Sequence, residues 1–265
     1  MLKEFIGGFT ELVSRPLYFL PALLAGIINL FVMVAVSENS FNFFMQTLVL
    51  GNVPDVNLWQ MPFYIINSYG QDLIAMLLGT LASLAVGFYI LYVYSALIAA
   101  KEKGIVKAIA ATAKKIPEIL ALSVFVLAAF FIYSTIAYFV FVAGVSIEAI
   151  GIILFIALLA WLVLGVYFFL MLAFTPLFMA LNGTKLKKAL AESWKWSPKR
   201  LLHIAVFLAV LWFLTMAVAT LFSMISDFAG SDELIAGTLM LGMAVSGAYY
   251  NITFIKYFLA NREKA

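Results

Sequence analysis

The stretch KLKKALAESWKWSPKR, residues 185–200, sets six lysine and arginine residues between two of the most apolar runs in the chain. Upstream, Ile147–Leu181 carries a single charge, Glu148. Downstream, Leu201–Ile225 carries none. A membrane span needs about 20 consecutive, mostly apolar residues, and both runs meet that length. A short basic segment between two such runs reads as a connection held on the cytoplasmic side, where Lys and Arg concentrate.

Working outward from this segment, six runs qualify as spans: Leu17–Val36, Asp72–Ala99, Pro117–Val145, Ile147–Leu181, Leu201–Ile225 and Leu234–Ala260. The fourth is longer than one crossing requires, and Pro176 is expected to bend or end it by removing a helix hydrogen bond. All 16 basic residues sort to one side of the six runs. Lys3 and Arg15 precede the first. Lys101, Lys103, Lys107, Lys114 and Lys115 separate the second from the third. The 185–200 segment separates the fourth from the fifth, and Lys256, Arg262 and Lys264 close the chain. The alternate connections hold only acids: Glu38, Asp55, Asp72, Glu148, Asp227, Asp232 and Glu233. The expectation is an all-α integral membrane protein of six transmembrane helices, in the cell membrane, with both termini cytoplasmic. A soluble helical core has no reason to sort charge by alternate connection. Composition agrees: 66% of residues are hydrophobic and 11% charged, whereas soluble domains carry about 25% charged residues. The start, MLKEFIGGFTE, lacks the basic-apolar-small pattern of a signal peptide, so the first run is expected to stay as a helix.

The chain repeats itself. Lys107–Ala128 aligns with Lys188–Ala209 at an offset of 81 positions, matching Lys107 with Lys188, Lys114 with Lys195 and Pro117 with Pro198. The N-terminus follows the same plan, with Leu2, Phe5, Ile6, Phe9, Leu12 and Val13 on one helical face before Pro16. Each unit is then a short amphipathic cytoplasmic helix, a proline suited to the first turn of a helix, and a hairpin of two spans. The expected fold is three tandem hairpins within one polytopic domain (1–265), in repeat-like units of about 1–100, 101–182 and 183–265. The even spans share Gly87-Phe88-Tyr89, Gly165-Val166-Tyr167 and Gly247-Ala248-Tyr249. These glycines suit close helix packing, and Tyr89, Tyr167 and Tyr249 are candidates to line a pocket or pore.

Two amphipathic segments carry the basic residues. Ile105, Ile109, Thr112 and Ile116 share a face away from Lys107, Lys114 and Lys115. Leu186, Leu190 and Trp194 share one beside Lys187, Lys188 and Lys195. Lysine beside apolar and Trp anchors fits the headgroup zone, so the lipid bilayer is the expected partner; a second membrane or cytoplasmic protein could use the same platform. The outer connection Ser37–Gln71 is the longest and is rich in apolar and aromatic residues, which suits the interface or a cap on the bundle.

The search for chemistry returns little. With no cysteine, thiolate nucleophiles, disulfides and Cys-ligated metals are excluded, and His203 is the only histidine. No P-loop and no His-Glu-x-x-His occurs. No cofactor, metal, catalytic residue or nucleic-acid partner is indicated, and the protein is expected not to be an enzyme. Carboxylates sit only at span ends, which argues against proton- or sodium-coupled transport. Asn29 and Asn251 are the candidate polar intramembrane residues, and Asn29 has no polar counterpart at the matching positions Phe130 and Leu211. Ser134, Thr135, Thr215 and Ser246 are expected to bond between helices. His203 and Ser246 are the available pair for a serine protease, but Val245-Ser246-Gly247 lacks the glycine two residues before the serine that such enzymes show. Asn182-Gly183-Thr184 has the form of a glycosylation acceptor, but on the cytoplasmic side it reads as a helix cap and turn.

The stretch FTPLFMALNGTKLKKALAESW, residues 174–194, ends a span and enters an amphipathic helix. With Pro176, Ala189, Leu190, Ser193 and Trp194 it resembles YciC-like prokaryotic membrane proteins and the membrane domain beside some glycerophosphodiester phosphodiesterases. The resemblance covers about a fifth of the chain and implies a polytopic fold without an activity. Two functional classes follow from the whole reading: a non-catalytic membrane component that binds lipid or organises partners, and a channel or permease for a small neutral or hydrophobic solute.

Overall fold

The computed structural model of the chain describes residues 1–44, 59–99, 104–147, 151–228 and 231–262. Among them there is no strand; ten α-helices follow in order. They are α1 (Leu2–Ser14), α2 (Leu20–Phe44), α3 (Met61–Ile98), α4 (Ile105–Ala113), α5 (Ile116–Ser146), α6 (Gly151–Leu172), α7 (Thr175–Asn182), α8 (Leu186–Trp196), α9 (Leu201–Ser226) and α10 (Asp232–Arg262). Six segments are long and apolar enough to cross a membrane: Pro16–Val36, Met61–Ile98, Ile116–Ser146, Gly151–Asn182, Pro198–Ser226 and Glu233–Arg262. The six expected spans are therefore present. Of the residues named above, Asp55, Lys101, Lys103, Glu148 and Lys264 lie outside the described residues.

Two helices run past the expected spans into the connection between them. Helix α2 continues to Phe44 and α3 begins at Met61, so much of the anticipated loop Ser37–Gln71 is helical. Helix α3 is not one straight rod, because Tyr69 leaves helical geometry at φ −130°, ψ 23°, between Ser68 and Gly70 where kinks concentrate. The expected start at Asp72 falls just beyond this kink. Hydrophobicity marks where apolar residues begin, and the preceding turns MPFYIINS are helical without being uniformly apolar.

The break anticipated from Pro176 is present. Helix α6 ends at Leu172, Phe174 sits at φ −96°, ψ 0°, and α7 begins with Pro176 in its first turn. Proline has no N–H for the carbonyl one turn earlier. At its other end α7 stops at Gly183, which is left-handed (φ 61°) and returns its N–H to the Met179 carbonyl at 3.0 Å. The Thr184 hydroxyl donates to the Phe178 carbonyl at 3.1 Å. Asn182-Gly183-Thr184 is thus a helix C-cap and turn, as read from the sequence.

The chain divides into two compact units. The first comprises Met1–Ile28, Ala85–Leu122 and Leu170–Ala265, and α10 is its central element. Some 44% of the apolar window of α10 is buried, against 17% or less in the other five spans. Its core is aromatic. Phe174 meets Phe254, Phe258 and Trp196 with ring centres 4.8, 5.7 and 4.9 Å apart, and Phe207 stacks on Tyr257.

The second unit comprises Asn29–Leu84 and Ser123–Phe169. Within it, α5 and α6 are joined by a reciprocal clasp. The Tyr133 hydroxyl donates to the Trp161 carbonyl at 2.9 Å, and the Trp161 indole N–H donates to the Tyr133 carbonyl at 3.2 Å. The two rings stack 5.2 Å apart. Gly165 lies beneath the Tyr133 ring, so closely that a β-carbon there would overlap three of its atoms. A single interhelical hydrogen bond in a membrane averages about 0.6 kcal/mol, whereas forcing extra volume into a packed contact costs about 1–3 kcal/mol. Gly165→Val should therefore lower the midpoint of denaturant-induced unfolding in detergent more than Tyr133→Phe does. Equal midpoints for the two variants would show that the glycine is not what lets the rings close.

Candidate functional site

The basic residues and the short helices α1, α4 and α8 come together in the first unit, and each short helix leans on a different even-numbered span. Helix α1 lies on α10. Phe5 is buried and stacks on Phe207 with ring centres 5.3 Å apart. The Lys256 ammonium donates to the Gly7 carbonyl at 2.8 Å and to the Glu11 carboxylate at 3.0 Å, and Glu11 also pairs with Arg15 at 3.2 Å. Helix α4 lies on the end of α3, where the Tyr89 hydroxyl donates to the Ile109 carbonyl at 2.9 Å. Just beyond it, Lys115 donates to the Ala180 carbonyl at 3.0 Å and sits over the Tyr92 ring. Helix α8 lies on the α6–α7 break, where the hydroxyls of Ser193 and Ser197 donate to the Met171 carbonyl at 2.7 and 3.1 Å.

The faces these helices bury against protein are narrow. In α1 the buried residues are Phe5 and Gly8, while Leu2, Ile6, Phe9 and Val13 are exposed. In α4 they are Ala108 and Thr112, and in α8 Ala189, Ser193 and Trp196. Trp194, expected as the anchor, is 40% exposed; Trp196 is the buried indole, beside Phe174 and beneath the Arg200 guanidinium. Small side chains allow close helix approach, and they take most of the protein-facing positions, with Phe5 and Trp196 the large residues among them. Gly8 shows how tight the seam is. A β-carbon there would overlap the Thr253 hydroxyl and stand 3.3 Å from the Thr253 Cα, whereas one at Gly7 would meet only the flexible Lys256 side chain at 3.6 Å.

The candidate lysines separate into two groups. Lys107, Lys114, Lys187, Lys188 and Lys195 are exposed. Among the described residues only Lys188 of these has a carboxylate within 4 Å, Glu192 at 3.9 Å. Lys115 differs, since it is half-buried and bonded to α7. Of the three tyrosines, Tyr89 and Tyr249 direct their hydroxyls at short-helix carbonyls, Ile109 and Phe5, the latter at 3.5 Å. Tyr167 belongs to the second unit. The three motif glycines have different surroundings: Gly165 is covered by Tyr133, Gly247 touches Ala22 at 3.6 Å, and Gly87 meets nothing within 4 Å.

Polar residues within spans bond locally. Thr215 donates to the Leu211 carbonyl, Ser246 to Met243 and Asn251 to Gly247, each within its own helix, and not between helices as expected. Hydroxyl and amide groups on helices readily bond the preceding turn. Asn29 is different: its Oδ1 is buried with no hydrogen-bond partner among the described residues. His203 holds the Tyr257 hydroxyl through Nδ1, while the Ser246 hydroxyl is engaged on its own helix. Among the described residues no three of His, Asp or Glu cluster as metal ligands. The contacts that sequence reasoning missed are Lys256–Glu11 and the Ser193/Ser197 pair. The first had a usable signal, because Lys256 falls inside the apolar run expected as the sixth span, where an ammonium favours an acidic partner.

No protein-family model, curated protein or solved structure matches this chain.

Replacing glycine by alanine within a helix removes a propensity cost of about 1 kcal/mol. Gly7→Ala should therefore leave the unfolding midpoint unchanged or raise it, whereas Gly8→Ala should lower it by the cost of overpacking against Thr253, about 1–3 kcal/mol. Parallel denaturant titrations of the two variants check this. Two indistinguishable curves would mean that α1 is not seated on α10 at this register.

Proposed function

We propose that this chain is a non-catalytic multi-pass protein of the cell membrane whose basic, cytoplasmic face engages anionic lipid and can organise partners there. One observation carries the reading. Lys107, Lys114, Lys187 and Lys195 are exposed with no carboxylate within 4 Å among the described residues. Uncompensated lysines at the ends of spans suit an anionic leaflet, where each gains about 1 kcal/mol. The same charge asymmetry supports both termini lying on the cytoplasmic side.

The architecture within this proposal is three tandem hairpins, each led by an amphipathic helix. Burial repeats in register with the Gly-x-Tyr motifs at Gly87, Gly165 and Gly247. Val93, Met171 and Thr253 are each fully buried at equivalent points of the even spans, and Leu97, Thr175 and Tyr257 one turn later are at most 2% exposed. In the short helices Ala108 matches Ala189 and Thr112 matches Ser193, all buried. Each short helix leans on the even span before it. For α1 that partner is the last span, which closes the series. Against the alternative of a permease, the hydroxyls of Tyr89 and Tyr249 are spent on the backbone carbonyls of Ile109 and Phe5.

The test uses purified protein in vesicles. Anionic phospholipid should co-purify and raise the unfolding midpoint relative to phosphatidylcholine alone, and added salt should weaken the effect. The combined variant Lys107→Gln, Lys114→Gln, Lys187→Gln, Lys195→Gln should lose that preference. Rapid flux of small neutral solutes through the vesicles would replace this reading with the permease. Labelling of a Lys187→Cys variant from the outside of intact cells would overturn the orientation.

A further inference from the structure

The first short helix is expected from sequence to lie flat on the membrane surface, but its contacts with α10 follow a different geometry. Phe5 meets Tyr249, Gly8 meets Thr253, and Glu11 meets Lys256. The order is the same along both helices, so α1 runs beside α10 and in the same direction. Seven residues of α10 separate Tyr249 from Lys256, a rise of about 10 Å. A span that enters hydrocarbon near Glu233 leaves it after about 20 residues, close to Ile252. Tyr249 is then on the hydrocarbon side of that edge and Lys256 on the headgroup side.

We infer that α1 is a tilted helix immersed in the inner leaflet, its N-terminal half among acyl chains and its C-terminal half, from Glu11 to Arg15, among headgroups. The inference rests on the membrane orientation proposed above and names what covers α1. Leu2, Ile6, Phe9 and Val13 form one stripe at helical spacing, each 57–73% exposed. The occupant is lipid, because α1 runs beside the inner end of a candidate crossing helix, and Leu17, Leu24 and Ile28 of the segment that follows α1, itself long and apolar enough to cross a membrane, are exposed as well. Glu11, Arg15 and Lys256 form one bonded group at the headgroup end of α1. At the deep end the N-terminal ammonium is neutralised by Glu4 at 2.7 Å, and the stem of Lys3 is long enough to snorkel towards the polar zone.

The chain has no cysteine, so single-cysteine variants need no altered background. Leu2→Cys, Ile6→Cys, Phe9→Cys and Val13→Cys all fall on largely exposed positions. Each is spin-labelled in the full chain, reconstituted in phosphatidylcholine vesicles with and without anionic lipid, and probed with oxygen and with a water-soluble nickel chelate. The expected result is greater access for oxygen at Leu2, Ile6 and Phe9, with depth decreasing along the series by up to about 16 Å from Leu2 to Val13. Equal depths at the four positions would restore a helix lying flat and overturn the inference. Greater access for the nickel chelate throughout would place α1 in water and overturn it. Exclusion of both reagents would identify a protein partner or a second copy as the cover, and would overturn it as well. A depth gradient that persists while anionic-lipid preference is absent would sink the lysine reading and leave this one standing.

Discussion

Hydrocarbon solvates a leucine side chain about as well as a protein core does, so within a bilayer there is no gain in turning leucine inward. What gains from contact between helices is close backbone approach and the pairing of polar groups that lipid cannot satisfy. The arrangement of this chain follows from that single constraint. Gly8, Ala108, Thr112, Ala189 and Ser193 face protein, while Leu2, Phe9, Val106 and Trp194 face outward. The most apolar window of the fourth span has no buried residue at all. Packing density concentrates instead around α10, where aromatic rings from α7, α8, α9 and α10 meet.

Features that depend on composition or on one residue's covalent geometry were legible in the sequence. Charge alternation located six spans, because a lysine cannot cross hydrocarbon cheaply at any register. Pro176 marked the break in the fourth span, since a missing N–H acts in every context, and Gly183 marked the cap that follows. Features that depend on which face of a helix turns inward were not legible. The apolar faces of α1 and α8 were read as facing the membrane surface, and the period alone did not say which of the remaining positions, Phe5 and Gly8 or Ala189, Ser193 and Trp196, would meet protein. Helix α2 reaches Phe44 and α3 begins at Met61 for a related reason: hydropathy measures lipid solubility, and helical turns continue past the point where residues stop being apolar.

The candidate site was legible in its charges and not in its contacts. Lys107, Lys114, Lys187 and Lys195 are exposed as the helical period requires. Lys115, adjacent in sequence, leaves that group because its stem reaches Ala180 and Tyr92, a neighbourhood that no local pattern encodes. The Lys256–Glu11 pair joins positions at opposite ends of the chain. It follows from α1 closing onto the last span, and so only from the complete arrangement of the short helices.

A further reason for the silence of the sequence lies in the acceptors. The side-chain bonds that join separate elements end mostly on backbone carbonyls: Phe5, Gly7, Tyr18, Ile109, Tyr133, Trp161, Met171 and Ala180. A carbonyl oxygen has two lone pairs, and the helix uses one. The second is an acceptor already fixed in place, with no side-chain entropy to lose and no extra polar group to bury. A chain with 11% charged residues can therefore fix helix positions with a few donors, namely tyrosine, tryptophan, serine and lysine, each directed at an acceptor that has no side-chain identity. Donors can be counted in a sequence, but their partners cannot, because every residue offers the same carbonyl. Met171 makes the point most fully. Its carbonyl lies next to the break before Pro176 and accepts two serine hydroxyls from α8 and its C-terminal cap, so the break in the fourth span is also the place where the third short helix is held.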